Sequence, residues 1–130
     1  MNKAEIGRVL AILEVAYPNY FKELDATKKY AMGVLWERNF KEIPADIMFV
    51  AVDEWISKNK FPPSVAEIKD RLVGMYWDSF AYMNAIKYDT LILSEADKKW
   101  VLYVADSLSM FNRREEPKFF PEKDETKLLR

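Results

Sequence analysis

The chain has 130 residues, of which 50% are hydrophobic and 32% are charged, and its net charge is -1. This length fits one domain with a substantial core, and the balanced charge argues against nucleic-acid binding that depends on overall positive charge. His and Cys are both absent, which excludes Ser–His and Cys–His nucleophile pairs, thiolate metal sites and disulfides.

Apolar residues recur at helical spacing in the N-terminal part of the chain, and two segments there predict helices. The first helix covers about residues 3–16. It ends at Tyr17-Pro18, because the residue before a proline disfavours the helical conformation. The second covers about residues 26–40, with Asp25 as its candidate N-cap.

The third helix begins near Pro44, since proline is favoured in a first helical turn, and it reaches Trp55 and Ile56. A break follows within residues 55–68, which we call the corner. Its structural residues are an aromatic side chain, a stiff proline pair and two capping residues: Phe61, Pro62, Pro63, Ser64 and Glu67.

The proline pair stops the preceding helix, because Pro63 biases Pro62 toward an extended backbone. Ser64 and Glu67 have the spacing of a capping box, in which each side chain accepts a hydrogen bond from a free backbone amide at the helix start. The corner therefore predicts two helices that meet at an angle. We expect Phe61 to pack within it.

The fourth helix starts at this capping box, and its apolar stripe runs through Phe80 to Met83. Gly74 lies within it and could bend or break it. The fifth helix opens at Ser94 and extends to Phe111. These patterns predict an all-α protein, a compact bundle of about five helices formed by residues 1–111.

Residues 112–130 differ in composition, because charged residues of both signs and two prolines replace the apolar stripe. Such a segment buries too little apolar surface to offset its ordering entropy. We therefore predict a flexible charged tail after residue 111.

Several residues are candidates for contact with a partner protein. The aromatic run that includes Trp77 and Tyr82 cannot all face the core, whereas Trp36, Trp55 and Trp100 lie on apolar stripes typical of core packing. In the tail, apolar pairs within charged surroundings resemble short anchors for a groove. The candidates there are Arg113, Arg114, Phe119, Phe120, Leu128 and Leu129.

No catalytic, cofactor-binding or metal-binding residue is expected, because adjacent helical carboxylates such as Asp53 and Glu54 point in different directions. The chain contains no apolar run of about 20 residues and no signal-peptide core at its start, so we expect a cytoplasmic protein. Basic residues beside the proline pair, such as Lys58 and Lys60, leave DNA binding as an alternative.

Three parts of the sequence carry a family resemblance over roughly residues 5–72. They are Leu10-Ala11-Ile12-Leu13 followed by Tyr17-Pro18, then Trp36 with Phe40, and finally the string Lys-Phe-Pro-Pro-Ser-Val-Ala-Glu-Ile at 60–68. In this order and spacing they resemble the replicative-helicase loader and inhibitor family of Gram-positive phages.

The resemblance implies a non-enzymatic helical protein of the host bacterial cytoplasm. It implies binding to the hexameric replicative helicase, which is held inactive and delivered to a phage origin through an origin-binding initiator. In that family the flexible C-terminal part carries the helicase contact, and residues 112–130 match it in character alone. A small DNA-binding replication module and a phage antagonist of another host protein remain as alternatives.

Overall fold

The computed structural model describes residues 1–87 and 93–113 of the chain. Within these ranges the chain is helical and contains no strand, so the predicted all-α class is confirmed. The helices are α1 (Lys3–Ala16), α2 (Pro18–Phe21), α3 (Ala26–Phe40), α4 (Ala45–Lys58), α5 (Val65–Lys87), α6 (Glu95–Ser107) and a 3₁₀ helix (Ser109–Arg113).

The described residues hold six α-helices where the sequence predicted about five. The additional one is α2, a single turn that begins at Pro18 directly after α1. Proline ends the preceding helix but suits the first position of the next, where its missing N–H is not needed. The last predicted helix is also shorter than expected, since it ends at Ser107 and the chain continues as the 3₁₀ helix.

Local side-chain caps set most helix starts. The predicted N-caps of α3 and α6 are confirmed: Asp25 accepts from the amide of Lys28 at 2.8 Å, and Ser94 accepts from the amide of Asp97 at 3.1 Å. Pro44 is the N-cap of α4 rather than a residue of its first turn. α1 starts with a capping box formed by Asn2 and Glu5, which we did not predict.

The chain divides into two compact units, Met1–Lys69 and Asp70–Arg130. The boundary falls inside α5, which continues unbroken past Gly74. The predicted boundary at residue 111 stays a prediction. The predicted tail lies outside the described residues, except for its first two residues, which end the 3₁₀ helix.

In the first unit α1 packs against α2, α3 and α4. Two hydrogen bonds tie α1 to the ends of α4: the amino group of Met1 donates to the carbonyl of Ile43 at 3.0 Å, and the hydroxyl of Tyr17 donates to the carbonyl of Asn59 at 2.9 Å. Both bonds join residues 42 positions apart. The starts of the two helices therefore lie together, as do their ends, so that α1 and α4 run parallel.

The core of the first unit is made of apolar side chains from all its helices, including Ile6, Val9, Leu13, Phe21, Trp36, Phe40, Ile47, Met48, Ala51, Val52 and Ile68. In the second unit Leu72, Met75 and Tyr76 of α5 are buried, as are Val101, Val104, Leu108 and Phe111. No helix in the described ranges has the length and hydropathy of a membrane span.

Candidate partner-binding surfaces

The corner forms the capping box that the sequence predicts. The backbone amide of Ser64 donates to the Glu67 carboxylate at 2.8 Å, and the amide of Glu67 donates to the Ser64 hydroxyl at 3.1 Å. The amide of Ile68 then donates to the carbonyl of Ser64 at 3.1 Å. α5 therefore begins at Val65, and its first turn has partners for amides that a helix start usually leaves free.

Two long side chains fasten the loop before the proline pair. The indole N–H of Trp55 donates to the carbonyl of Phe61 at 2.8 Å, and Tyr17 holds the carbonyl of Asn59. Trp55 was expected in the core but is half-buried, because its polar edge reaches the loop. These bonds make the corner a fixed structure rather than a free connection between α4 and α5.

The expectation that Phe61 packs within the corner is wrong in part, because its side chain is 60% exposed. Its ring meets the ring of Tyr20 edge-on, with centroids 5.6 Å apart and an interplanar angle of 87°. Pro63 takes the buried position of the elbow instead. Phe61 thus turns its carbonyl toward Trp55 and its ring toward solvent and Tyr20.

A groove of about 190 Å³ lies beside this elbow, and we call it the corner groove. Its lining consists of aliphatic and aromatic residues: Leu13, Tyr20, Phe21, Leu24, Met32, Trp36, Pro62 and Pro63. Aromatic rings and prolines give such a groove rigid walls that suit apolar side chains of a partner. Sequence reasoning missed it because the unpredicted helix α2 supplies Tyr20 and Phe21.

A second aromatic surface lies on α5, in the second unit. The ring centroid of Trp77 lies 5.2 Å from that of Tyr76 and 5.9 Å from that of Phe80. Phe80 is exposed although its spacing placed it on the buried stripe. Tyr82 is also exposed, but it lies about 140° around the helix from Trp77, so the two candidates do not share a surface.

The remaining candidates belong to the predicted tail. Arg113 ends the 3₁₀ helix. Arg114, Phe119, Phe120, Leu128 and Leu129 lie outside the described residues, so their role in partner binding stays a prediction.

Comparison with known proteins decides the family. The family model for the N-terminal domain of the phage SPP1 helicase loader and inhibitor matches residues 1–69, which is 69 of the 130 residues of the chain. The chain belongs to this family. The resemblance seen in the sequence is therefore confirmed. No curated protein and no solved structure matches the chain significantly.

The extent of this loader N-terminal domain agrees with the structure. The family match ends at Lys69, where the first compact unit also ends. This region holds the corner and the corner groove, whereas the aromatic surface of α5 lies beyond it. The family match therefore covers the first unit and leaves the second unit outside it.

Proposed function

We propose that this chain is a non-enzymatic adaptor of phage DNA replication. It binds the hexameric replicative helicase and inhibits it, loads it at the phage origin, or does both, together with an origin-binding initiator in the host cytoplasm. The observation that carries the proposal is membership of the loader N-terminal domain family, a phage helicase loader family.

The structure supports a role in binding. The corner groove offers an apolar recess with aromatic walls, and hydrogen bonds from Tyr17 and Trp55 hold the loop beside it in place. A recess that is already formed loses little conformational entropy when it takes up a partner. A stoichiometric adaptor needs this kind of surface.

The composition supports a role without catalysis. The chain contains no His and no Cys, the residues that most often serve as general base or activated nucleophile near neutral pH. Asp53 and Glu54 are neighbours on α4 and therefore point about 100° apart, which does not suit a shared ion or proton.

The tail supplies a second contact in this proposal. Its apolar pairs, Phe119-Phe120 and Leu128-Leu129, dock on the helicase while the folded first unit positions the chain. A segment that orders only on binding has a lower affinity for the same contact area, and this allows release when the helicase changes state.

The test is complex formation with purified replicative helicases of the host and of the phage. The full chain and each helicase are mixed with ATP and separated by size-exclusion chromatography with light scattering. A co-eluting complex of defined mass supports the proposal. If the chain forms a complex with none of the helicases tested, the proposal is wrong.

Two further measurements separate the alternatives. A gel-shift assay at low salt with single- and double-stranded DNA reports on the DNA-binding alternative, because such binding weakens steeply as salt rises. A pull-down from host lysate, with captured proteins identified by mass spectrometry, reports on the antagonist alternative through a specific target other than the helicase.

A further inference from the structure

A second groove runs along the outer side of α1 and α4, apart from the corner groove. Its lining is Ala11, Ile12, Val15 and Ala16 of α1 with Asp53 and Ile56 of α4. The space is shallow and measures about 430 Å³. Val15 is 82% exposed and Ile12 is also exposed, so these side chains present an apolar face to solvent.

The groove has the form that receives a helix. α1 and α4 are parallel and pack against each other. Ala11 and Ala16 of α1 line the groove together with Asp53 and Ile56 of α4, and the small side chains of the two alanines leave room between the two rows. Side chains of a third helix fit between such rows by ridges-into-grooves packing.

The charges along the groove specify what this helix must carry. Asp53 is exposed at the edge of the apolar face, and Arg8 lies one turn before Ile12 on the same side of α1. Among the residues that the structure describes, neither side chain forms an ion pair or a side-chain hydrogen bond. Covering a charged group with apolar surface is unfavourable unless an opposite charge arrives with it.

We propose that this α1–α4 groove binds one amphipathic helix of a partner protein. The helix places an apolar stripe on Ile12, Val15 and Ile56, a Lys or Arg opposite Asp53, and an acidic residue toward Arg8. The proposal rests on the proposed function in taking the replicative helicase as that partner. A second copy of the chain is the alternative occupant, and the oligomeric state of the wild-type chain tests it.

The first experiment measures helicase binding by the full-length chain. Val15→Glu adds a charge to the groove at an exposed position, so folding is preserved. It weakens binding at least about tenfold. Asp53→Lys weakens it as well, through repulsion of the partner's cation. Tyr30→Glu is the matched control on α3, where Tyr30 is 75% exposed, and it leaves binding unchanged. If Val15→Glu binds the helicase with wild-type affinity, the groove proposal is wrong and the helicase proposal stands.

The second experiment does not depend on the helicase. Two peptides of about 14 residues, or four turns, carry a leucine stripe and differ only in a central Lys or Glu. Titration of the full chain, followed by amide NMR shifts, should perturb α1 and α4 around Val15 and Ile56, with tighter binding of the Lys peptide. The preference reverses in Asp53→Lys.

The outcomes separate the two proposals. If the wild-type chain binds no helicase, the proposed function fails. The peptide titrations alone then decide whether the groove binds a helix. Shifts elsewhere, or equal affinity for both peptides, overturn the groove proposal. So does a wild-type dimer that becomes monomeric in Val15→Glu, because the groove would then be an interface between copies.

Discussion

At the scale of single residues, Tyr17 links the ends of two helices through one hydroxyl. Its side chain is buried, and the hydroxyl donates to the carbonyl of Asn59 at 2.9 Å. Tyr17→Phe keeps the ring and removes this bond, so we expect the free energy of unfolding to fall by about 1 kcal/mol. Urea denaturation measures it. Tyr20→Phe is the control, since that hydroxyl forms no hydrogen bond among the described residues, and an equal loss there would contradict the assignment.

The same hydroxyl gives a prediction about pH. Burial raises the pKa of Tyr17 above its ordinary value of 10.0. Above that pH the unfolded chain loses the phenolic proton while the folded chain retains it, so stability falls as pH rises. Below pH 10.0 this contribution is fully present. The stability difference between wild type and Tyr17→Phe should therefore shrink above pH 10.0 in urea titrations. A constant difference through that range would argue against a buried, protonated hydroxyl.

At the scale of elements, the start of α5 depends on Ser64. Its hydroxyl accepts the amide of Glu67 at 3.1 Å, and Ser64→Ala should lower stability by on the order of 1 kcal/mol. Ser64→Asp should restore most of this loss, since aspartate is an equally good N-cap. Thermal unfolding of the three proteins makes the comparison. Equal melting temperatures for wild type and Ser64→Ala would show that the cap does not stabilise α5.

A substitution at Gly74 tests whether α5 needs a flexible residue in its interior. The helix passes through it unbroken, and a Cβ there would lie 3.7 Å from the Arg71 side chain, an ordinary contact. Gly74→Ala should therefore raise the free energy of unfolding by about 0.5–1 kcal/mol. Gly7→Ala in α1 is the control, because a Cβ there has no neighbour within 4 Å. A loss of stability at Gly74 alone would indicate that α5 must flex there.

These elements show which parts of the fold the sequence could reveal. Asp25, Ser64 and Ser94 act on amides three residues away, so their spacing was sufficient to predict three helix starts. Asn2 and Glu5 have the same spacing, so the start of α1 was predictable in the same way. The helix α2 was not predictable, because four residues are too few to show a helical periodicity and Pro18 indicated only the end of α1.

The candidate site was less predictable than the helices, because it depends on contacts between distant residues. The Phe61 side chain is exposed, with its ring against Tyr20, while Pro63 occupies the buried position. Phe80 fits a buried spacing and is exposed. Local spacing fixes which side of a helix a residue occupies, but tertiary packing decides whether that side is covered.

At the scale of the whole molecule, truncation separates the contribution of the tail from that of the folded part. A chain that ends at Arg113 lacks residues 114–130, the part of the tail that holds both apolar pairs. We expect its thermal unfolding midpoint to match that of the full chain and its helicase affinity to fall at least about tenfold. Calorimetry gives the first quantity and titration the second.

A substituted full-length chain provides the matched control for this truncation. Alanine at Phe119, Phe120, Leu128 and Leu129 keeps the length and charge of the tail but removes its apolar pairs. It should lose as much affinity as the truncated chain. Full affinity in either protein would show that the tail makes no contribution to helicase binding.

The parallel pairing of α1 and α4 also bears on how the first unit folds. The two bonds at its ends, from Met1 to Ile43 and from Tyr17 to Asn59, each close a loop of 42 residues. Because α1 is a rigid rod between these points, closing one loop brings the partners of the other within reach. The entropy of loop closure is then lost once for both contacts. Docking of α1 on α4 should consequently be a single cooperative step. The same step closes the chain segment that contains α2 and α3.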